Sequence, residues 1–387
     1  MGNRPPTFGP VLCVVGARPN FMKMAPLIRA IAAHPAALPT FLVHTGQHYD
    51  VAMSDRLFVD LDLPAPDINL EVGSGSHAVQ TAEVMRRFEP VLDSVQPSCI
   101  VVVGDVNSTL ACSLVAAKKG VPVAHVEAGL RSFDRSMPEE VNRVLTDQLA
   151  AQLYTTERSA RTNLLREGIA AERIHFVGNV MIDSLLTARK RAVPPATLLA
   201  QNGLDASLLD GDAGFGLVTL HRPSNVDRSD SLAHVLTILR EISAKIPLVC
   251  PLHPRTQANI DRFGLHGLVD TGRIVMLPPQ GYLETVGLMA SATLVLTDSG
   301  GIQEETTALG VPCLTMRDNT ERPITIEQGT NVLVGTNRAL IHHCVDAILA
   351  GGGKRGCTPE LWDGHASERI AEHLAHWLVG PRVAVAT

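Results

Sequence analysis

Short, unbroken apolar runs recur along the chain and alternate with segments whose apolar positions fall at helical spacing. In the first half the runs occupy 11–16, 40–45, 99–104, 121–126 and 152–155; in the second, 216–220, 247–251, 274–277, 293–297, 312–315 and 332–334. A strand with one face in water alternates apolar and polar residues, whereas one covered by helices on both faces stays apolar throughout. These runs therefore predict parallel sheets assembled from βαβ units. Two series of them predict an α/β protein of two Rossmann-like domains with an interdomain cleft, at 1–180 and 181–365. The amphipathic stretch 366–380 is a candidate to pack back onto the first domain. Between the series, 193–216 is rich in Pro, Ala, Gly and Asp and reads as a linker or peripheral segment.

Composition narrows the classes of function. Hydrophobic residues make up 45% of the 387, charged ones 19%, and the mean hydropathy of +0.14 is that of a globular chain. A net charge of −6 and a pI near 6.2 leave no broad basic field for nucleic acid or anionic lipid, so any phosphate must be held at a local site. The seven cysteines form no C-x-x-C pair and sit mostly in apolar runs, as buried thiols do, which argues against a disulfide framework or zinc site. No basic leader opens the chain and no run approaches the roughly 18 apolar residues of a membrane span, which predicts a cytoplasmic protein without membrane insertion.

One anion site is legible. T-D-S-G-G-I-Q-E-E at 297–305 follows an apolar run and opens a helix ending near Gly310. Unpaired N–H groups and the dipole of a helix start attract anions, Gly300 and Gly301 let a ligand approach the backbone, and Ser299 adds a hydroxyl. The same letters also suit a plain turn and cap. The motif is neither G-x-G-x-x-G nor a P-loop, so a hydride-carrying dinucleotide has little support. Glu305, one turn further in, is placed either to accept ribose hydroxyls or to stand in solvent.

In the first half, Arg18 and Lys23 follow the opening run, at the strand end where open α/β sheets bind ligands. Arg grips phosphate with two parallel bonds and Lys supplies a point charge. Asp105 follows the run 99–104, Glu127 the run 121–126, and Glu139 stands beside Pro138 at a helix start. Asp105 alone suits a cap for the helix 107–119, and Glu139 a carboxylate at a positive helix end. Three acids converging on strand ends make a proton-transfer set, because crowding raises some carboxyl pKa values toward neutrality. In the second half His221 and His253 close successive runs, two imidazoles placed for a diphosphate. No His pair has metal-ligand spacing and no G-x-S-x-G elbow occurs.

The ordered motifs carry a specific resemblance. G-A-R-P-N-F-M-K (16–23), T-G-Q-H-Y-D (45–50), G-D-V-N-S-T (104–109), H-V-E-A-G-L-R (125–131), M-P-E-E-V-N-R (137–143), G-N-V-M-I-D (178–183), L-H-R-P-S-N (220–225), T-D-S-G-G-I-Q-E-E and M-R-D-N-T-E-R-P (316–323) span most of the chain. Together they resemble the non-hydrolysing UDP-N-acetylglucosamine 2-epimerases. The resemblance implies a GT-B-like fold, UDP in the interdomain cleft, a homodimer, and no NAD or metal cofactor. It implies interconversion of UDP-N-acetylglucosamine and UDP-N-acetylmannosamine by elimination of UDP to 2-acetamidoglucal and re-addition. Asp105, Glu127 and Glu139 match the family's acid/base carboxylates. Arg18, Lys23 and His221 match its substrate contacts, with His221 near the diphosphate and catalytic. Ser299, Gly300 and Gly301 match the phosphate loop, Glu305 the ribose contact, and Gln280 and Arg322 further contacts, with His253 beside them.

Three departures stand out. The stretch between Glu127 and Glu139 is two residues shorter than in the enterobacterial type, and Thr285 stands where that type has an aromatic beside uracil. Where substrate-activated members carry an Arg after the T-G-Q-H loop, 70–77 holds none, although Gln47 and His48 are present. The same motifs, including a short S-F-x-x-x-M-P-E-E segment, also fit a 2-epimerase of UDP-2,3-diacetamido-2,3-dideoxyglucuronate or a related UDP-sugar. A GT-B glycosyltransferase shares the nucleotide half but has no need of three carboxylates in the N-terminal half.

Overall fold

The computed structural model describes residues 9–47, 57–209, 211 and 213–380. The chain forms two compact units, one of Met1–Ser184 with Glu360–Thr387, the other of Leu185–Pro359. His48, Tyr49 and Asp50 of the T-G-Q-H-Y-D motif lie outside the described residues.

The first unit is built on β1 (Val11–Val15), β2 (Thr40–His44), β3 (Ile68–Asn69), β4 (Cys99–Val103), β5 (Val123–Val126), β6 (Gln152–Thr155) and β7 (Ile174–Phe176), in the order β3-β2-β1-β4-β5-β6-β7. All neighbours are parallel, and Val11 pairs with Thr40 on one side and Cys99 on the other. β1, β4 and β5 are buried along their whole length, the condition that forbids alternation in their sequences. From β1 the strand order runs outward in both directions, so the carboxyl ends of β1 and β4 flank the switch point where such sheets receive ligands. Asn20 ties those ends together. Its Oδ1 accepts from the N–H groups of Gly16 (3.2 Å) and Ala17 (3.0 Å), and its Nδ2 donates to the carbonyl of Val103 (2.9 Å).

The helix Ala366–Val379 returns to this unit and packs along the helix Arg18–Ala33. The Asp183 carboxylate accepts its first N–H groups, from Ala366 (3.2 Å) and Ser367 (2.6 Å). Trp362 anchors the approach by donating Nε1–H to the carbonyl of Thr156 at 3.1 Å.

The second unit repeats the plan with β8 (Gly216–Thr219), β9 (Leu248–Pro251), β10 (Ile274–Leu277), β11 (Leu294–Thr297), β12 (Cys313–Thr315) and β13 (Asn331–Leu333), in the order β10-β9-β8-β11-β12-β13. Its switch point lies at the ends of β8 and β11, where the Thr219 and Thr297 hydroxyls bond at 2.7 Å. The stretch 193–216 is a packed part of this unit rather than a spacer. It contains the helix Pro195–Gln201, and Val193 N donates to Leu283 O at 3.3 Å. Gly287 is required there, because a Cβ would come within 1.9 Å of the Val193 carbonyl oxygen.

Five cysteines are buried free thiols, Cys344 is half-buried and Cys357 exposed. Among the described residues no helix is long and apolar enough to cross a membrane.

Candidate active site

In the first unit, Arg18, Lys23, Asp105 and Glu127 stand at the carboxyl ends of β1, β4 and β5. Arg18 opens the helix Arg18–Ala33, and Lys23, buried on its second turn, reaches Glu127 with Nζ 2.5 Å from Oε2. Glu127 is wholly buried and has a φ of +69°, an uncommon conformation for a residue with a side chain. Its N–H and that of Ala128 both donate to the carbonyl of Tyr154, at 3.0 Å each, which pins this turn against β6. Strain of this kind persists where the surroundings over-determine it, and it clusters at functional sites.

Gly104 also has a positive φ (+67°), and a Cβ on it would stand 3.1 Å from Lys23 Nζ. The lysine head thus lies against the turn that presents Asp105 as well as against Glu127. Asp105 does not cap the helix Asn107–Lys118, whose cap position is Val106 without a side-chain bond. It pairs instead with the buried guanidinium of Arg143, while Asn142 Nδ2 donates to its carbonyl at 2.9 Å.

Arg143 also holds Glu140 Oε2 at 3.1 Å. Glu140 in turn accepts from Ser132 N (2.9 Å) and Phe133 N (3.2 Å), so one buried carboxylate fixes both Arg143 and the loop between Glu127 and Glu139. Glu139 is half-buried on the first turn of the helix Pro138–Leu149, the helix that carries Asn142 and Arg143. Behind the site, His125 on β5 contacts Gly104 O through Nε2 (2.8 Å) and Asp147 Oδ1 through Nδ1 (2.7 Å). Burial opposes the Asp147 carboxylate, but His125 and Arg131 outweigh it and hold its pKa below the ordinary value.

In the second unit, His221 follows β8 and His253 caps the helix Pro254–Phe263, their rings stacked with centroids 5.4 Å apart. Ser299, Gly300 and Gly301 open the helix Gly300–Leu309. A Cβ at Gly300 would meet Glu321 Oε1 at 2.6 Å, so any side chain there must push that carboxylate aside. Burial opposes the Glu321 charge, but Arg322 and Arg317 outweigh it and hold its pKa down to about 2. Arg322 is buried with Nε 2.9 Å from Glu304 Oε1. Glu305 is buried rather than solvated and accepts from the Tyr282 hydroxyl at 2.8 Å. Gln280 donates to Pro278 O at 2.7 Å just before the helix Tyr282–Ser291. Within that helix Thr285 gives its hydroxyl (2.7 Å) and N–H (3.1 Å) to the same Gly281 carbonyl.

Residue-type reasoning missed Glu140, Asn142, Arg143, His125 and Asp298, the last being the carboxylate that organises the end of β11. A signal existed for one pair. Glu140 and Arg143 are three apart in M-P-E-E-V-N-R, the spacing that places opposite charges side by side on a helix.

Two doubly wound parallel sheets, one ending in clustered carboxylates and the other in a helix start flanked by imidazoles, define an enzyme of the GT-B-like α/β class. The chain belongs to the UDP-N-acetylglucosamine 2-epimerase family, whose model matches residues 29–375. It is 41% identical over 366 residues to the UDP-N-acetylglucosamine 2-epimerase of Methanocaldococcus jannaschii, covering 94% of this chain and 98% of that one. It is also 41% identical over 378 residues to the UDP-2,3-diacetamido-2,3-dideoxy-D-glucuronate 2-epimerase of Pseudomonas aeruginosa, covering 94% and 99%. The crystal structure of the M. jannaschii enzyme in complex with UDP-GlcNAc and UDP superposes with a TM-score of 0.85 at 40% identity, covering 95% of this chain and 99% of that one.

Proposed function

We propose that this protein interconverts UDP-N-acetylglucosamine and UDP-N-acetylmannosamine without hydrolysing them. The observation that carries the reading is the set of cation-paired carboxylates at adjoining strand ends, buried Glu127 with Lys23 and half-buried Asp105 with Arg143. The C2 hydrogen of the hexosamine is not next to a carbonyl, so its removal must be coupled to departure of UDP from C1. A carboxylate takes that hydrogen as a proton, the C2–H pair becomes the C1=C2 bond of 2-acetamidoglucal, and the C1–O pair leaves on the β-phosphate oxygen. Re-addition of UDP reverses the electron flow while a second acid delivers the proton to the opposite face. Exchange on two faces accounts for more than one carboxylate among Asp105, Glu127 and Glu139. His221 and the helix start at Ser299, Gly300 and Gly301 hold the diphosphate as its charge grows, and Arg18 is a further substrate contact. Glu305, Gln280, Thr285, Arg322 and His253 complete the nucleotide-sugar contacts.

A second reading, action on UDP-2,3-diacetamido-2,3-dideoxyglucuronate, is favoured by the equal identity to the P. aeruginosa relative. Incubation in D₂O separates the two. UDP-N-acetylglucosamine is expected to give UDP-N-acetylmannosamine with deuterium at C2. Product without label contradicts proton exchange, and turnover of the diacetamido uronate alone selects the second reading. Asp105→Asn is expected to keep UDP binding while kcat falls by roughly 10² to 10⁴; loss of both gives Asp105 a structural role instead. The reading includes a cytoplasmic homodimer, supported by the family resemblance and checked by light scattering on the purified protein.

A further inference from the structure

Asp298 stands one residue before Ser299, directly behind the helix start that the functional reading assigns to the diphosphate. An uncompensated negative charge at that point opposes an anionic ligand. Yet Asp298 is wholly buried and ionised. Burial pushes its pKa up, but bonds from His221, Arg222 and Asn225 outweigh that and hold it below the ordinary value. His221 N lies 3.1 Å from each carboxylate oxygen, Arg222 N donates to Oδ2 at 2.9 Å and Asn225 Nδ2 at 3.0 Å. The remaining partner is the His221 ring, whose Nδ1 is 3.2 Å from Oδ1.

Hydrogen bonds from backbone and amide groups spread a charge without cancelling it, whereas an imidazolium cancels it. With Nδ1 turned to a carboxylate, that nitrogen carries the hydrogen, and Nε2 remains for a ligand on a side chain that is 37% exposed. Among the described residues, His253 is stacked on the ring at 5.4 Å with its Nδ1 accepting from Arg255 N, and Arg222 is the next residue in the chain.

We propose that Asp298 is a positioning residue for His221, fixing its ring with the hydrogen on Nδ1 and causing diphosphate binding to take up a proton at Nε2. The proposal rests on the reading of His221 as a diphosphate contact. When the C1–O bond breaks and its electron pair moves to the β-phosphate oxygen, the imidazolium Nε2–H donates to that oxygen and keeps its proton. On re-addition the pair returns to C1 and the ring is unchanged. The carboxylate behind the anion site thus adds no net charge once the ligand is bound, because it is matched by a cation that arrives with the ligand.

The test is calorimetry of UDP binding at pH 8, where the phosphates are ionised, in buffers of differing ionisation enthalpy. Wild-type protein is expected to take up a substantial fraction of a proton per UDP, and His221→Gln none. Asp298→Asn is expected to lose most of the uptake and to lower kcat by on the order of 10² to 10⁴, the scale seen when a carboxylate is removed from behind a catalytic histidine. Asn225→Ala, which removes one bond from the same carboxylate but leaves its charge, is expected to retain the uptake. UDP binding without uptake in wild-type protein, uptake unchanged in Asp298→Asn, or uptake lost in His253→Gln but not in His221→Gln overturns the proposal. If Asp298→Asn does not fold, the comparison of His221→Gln with wild type still decides it. Failure of wild-type protein to bind UDP at all would instead count against the functional reading.

Discussion

At the scale of the residue, this site is made of charges largely removed from water and held by charges of opposite sign. Lys23 and Glu127 are both almost fully buried, so each depends on the other for the solvation it has lost. Lys23→Met therefore leaves a buried carboxylate without its cation, and stability is expected to fall by about 3–5 kcal/mol. Adding Glu127→Gln to that variant removes the stranded charge and is expected to restore part of the loss, which urea denaturation of the single and double variants measures. Equal losses in both would show that the pair is not coupled. Arg143→Lys keeps the charge but not the fork that spans Glu140 and Asp105, so kcat is expected to fall about tenfold or more with KM little changed. The candidate acids stood out because Asp105, Glu127 and Glu139 each follow an apolar run or open a helix. Their partners did not, since Lys23 lies far from Glu127 along the chain and only folding brings the two charges together.

Among the elements, strands were the most legible and their connections the least. Full burial of β1, β4 and β5 wrote itself into the chain as unbroken apolar runs, so these positions agree to within a residue or two, whereas the short edge strands β3 and β7 match no predicted run. The stretch 193–216 misled because a short helix opening on Pro looks like loop composition until Leu283 and Gly287 are seen packed against it. The anion-receiving helix start was legible from its glycines, but the reason for Gly300 was not, since Glu321 arrives from after β12. Gly300→Ala must displace a carboxylate already held by Arg317 at 2.8 Å. The expected outcome is a UDP affinity lower by about tenfold with unchanged helix content, read by titration calorimetry and circular dichroism. Unchanged affinity would mean that the Glu321 carboxylate moves aside freely and that nothing at this helix start depends on it.

At the scale of the whole molecule, the chain leaves its first unit at Ser184 and returns to it at Glu360, and the last helix packs back onto that unit. A histidine pair is part of that packing. His373 on the helix Ala366–Val379 and His175 on β7 have ring centroids 3.7 Å apart, and Tyr154 OH meets His373 Nδ1 at 2.9 Å. Around them stand Arg161, His376 and Gln152, the last bonded to His175 Nε2 at 2.7 Å. Burial, then His373 and Arg161, push the His175 pKa down from 6.5 to about 4, and burial with His376 lowers that of His373. The unfolded chain therefore binds protons that the folded unit refuses, so the contribution of this pair to stability is fully present above pH 6.5 and is lost as pH falls from there toward 4. Urea midpoints measured from pH 8 to pH 4.5 are expected to drop across that interval. His373→Gln is expected to flatten the drop by removing one of the two protons the unit must refuse. Hydrogen exchange at pH 5 is expected to show the helix Ala366–Val379 losing protection before β1 and β4. A midpoint that stays level over the interval, or one that falls equally steeply in His373→Gln, would place the acid sensitivity elsewhere in the fold.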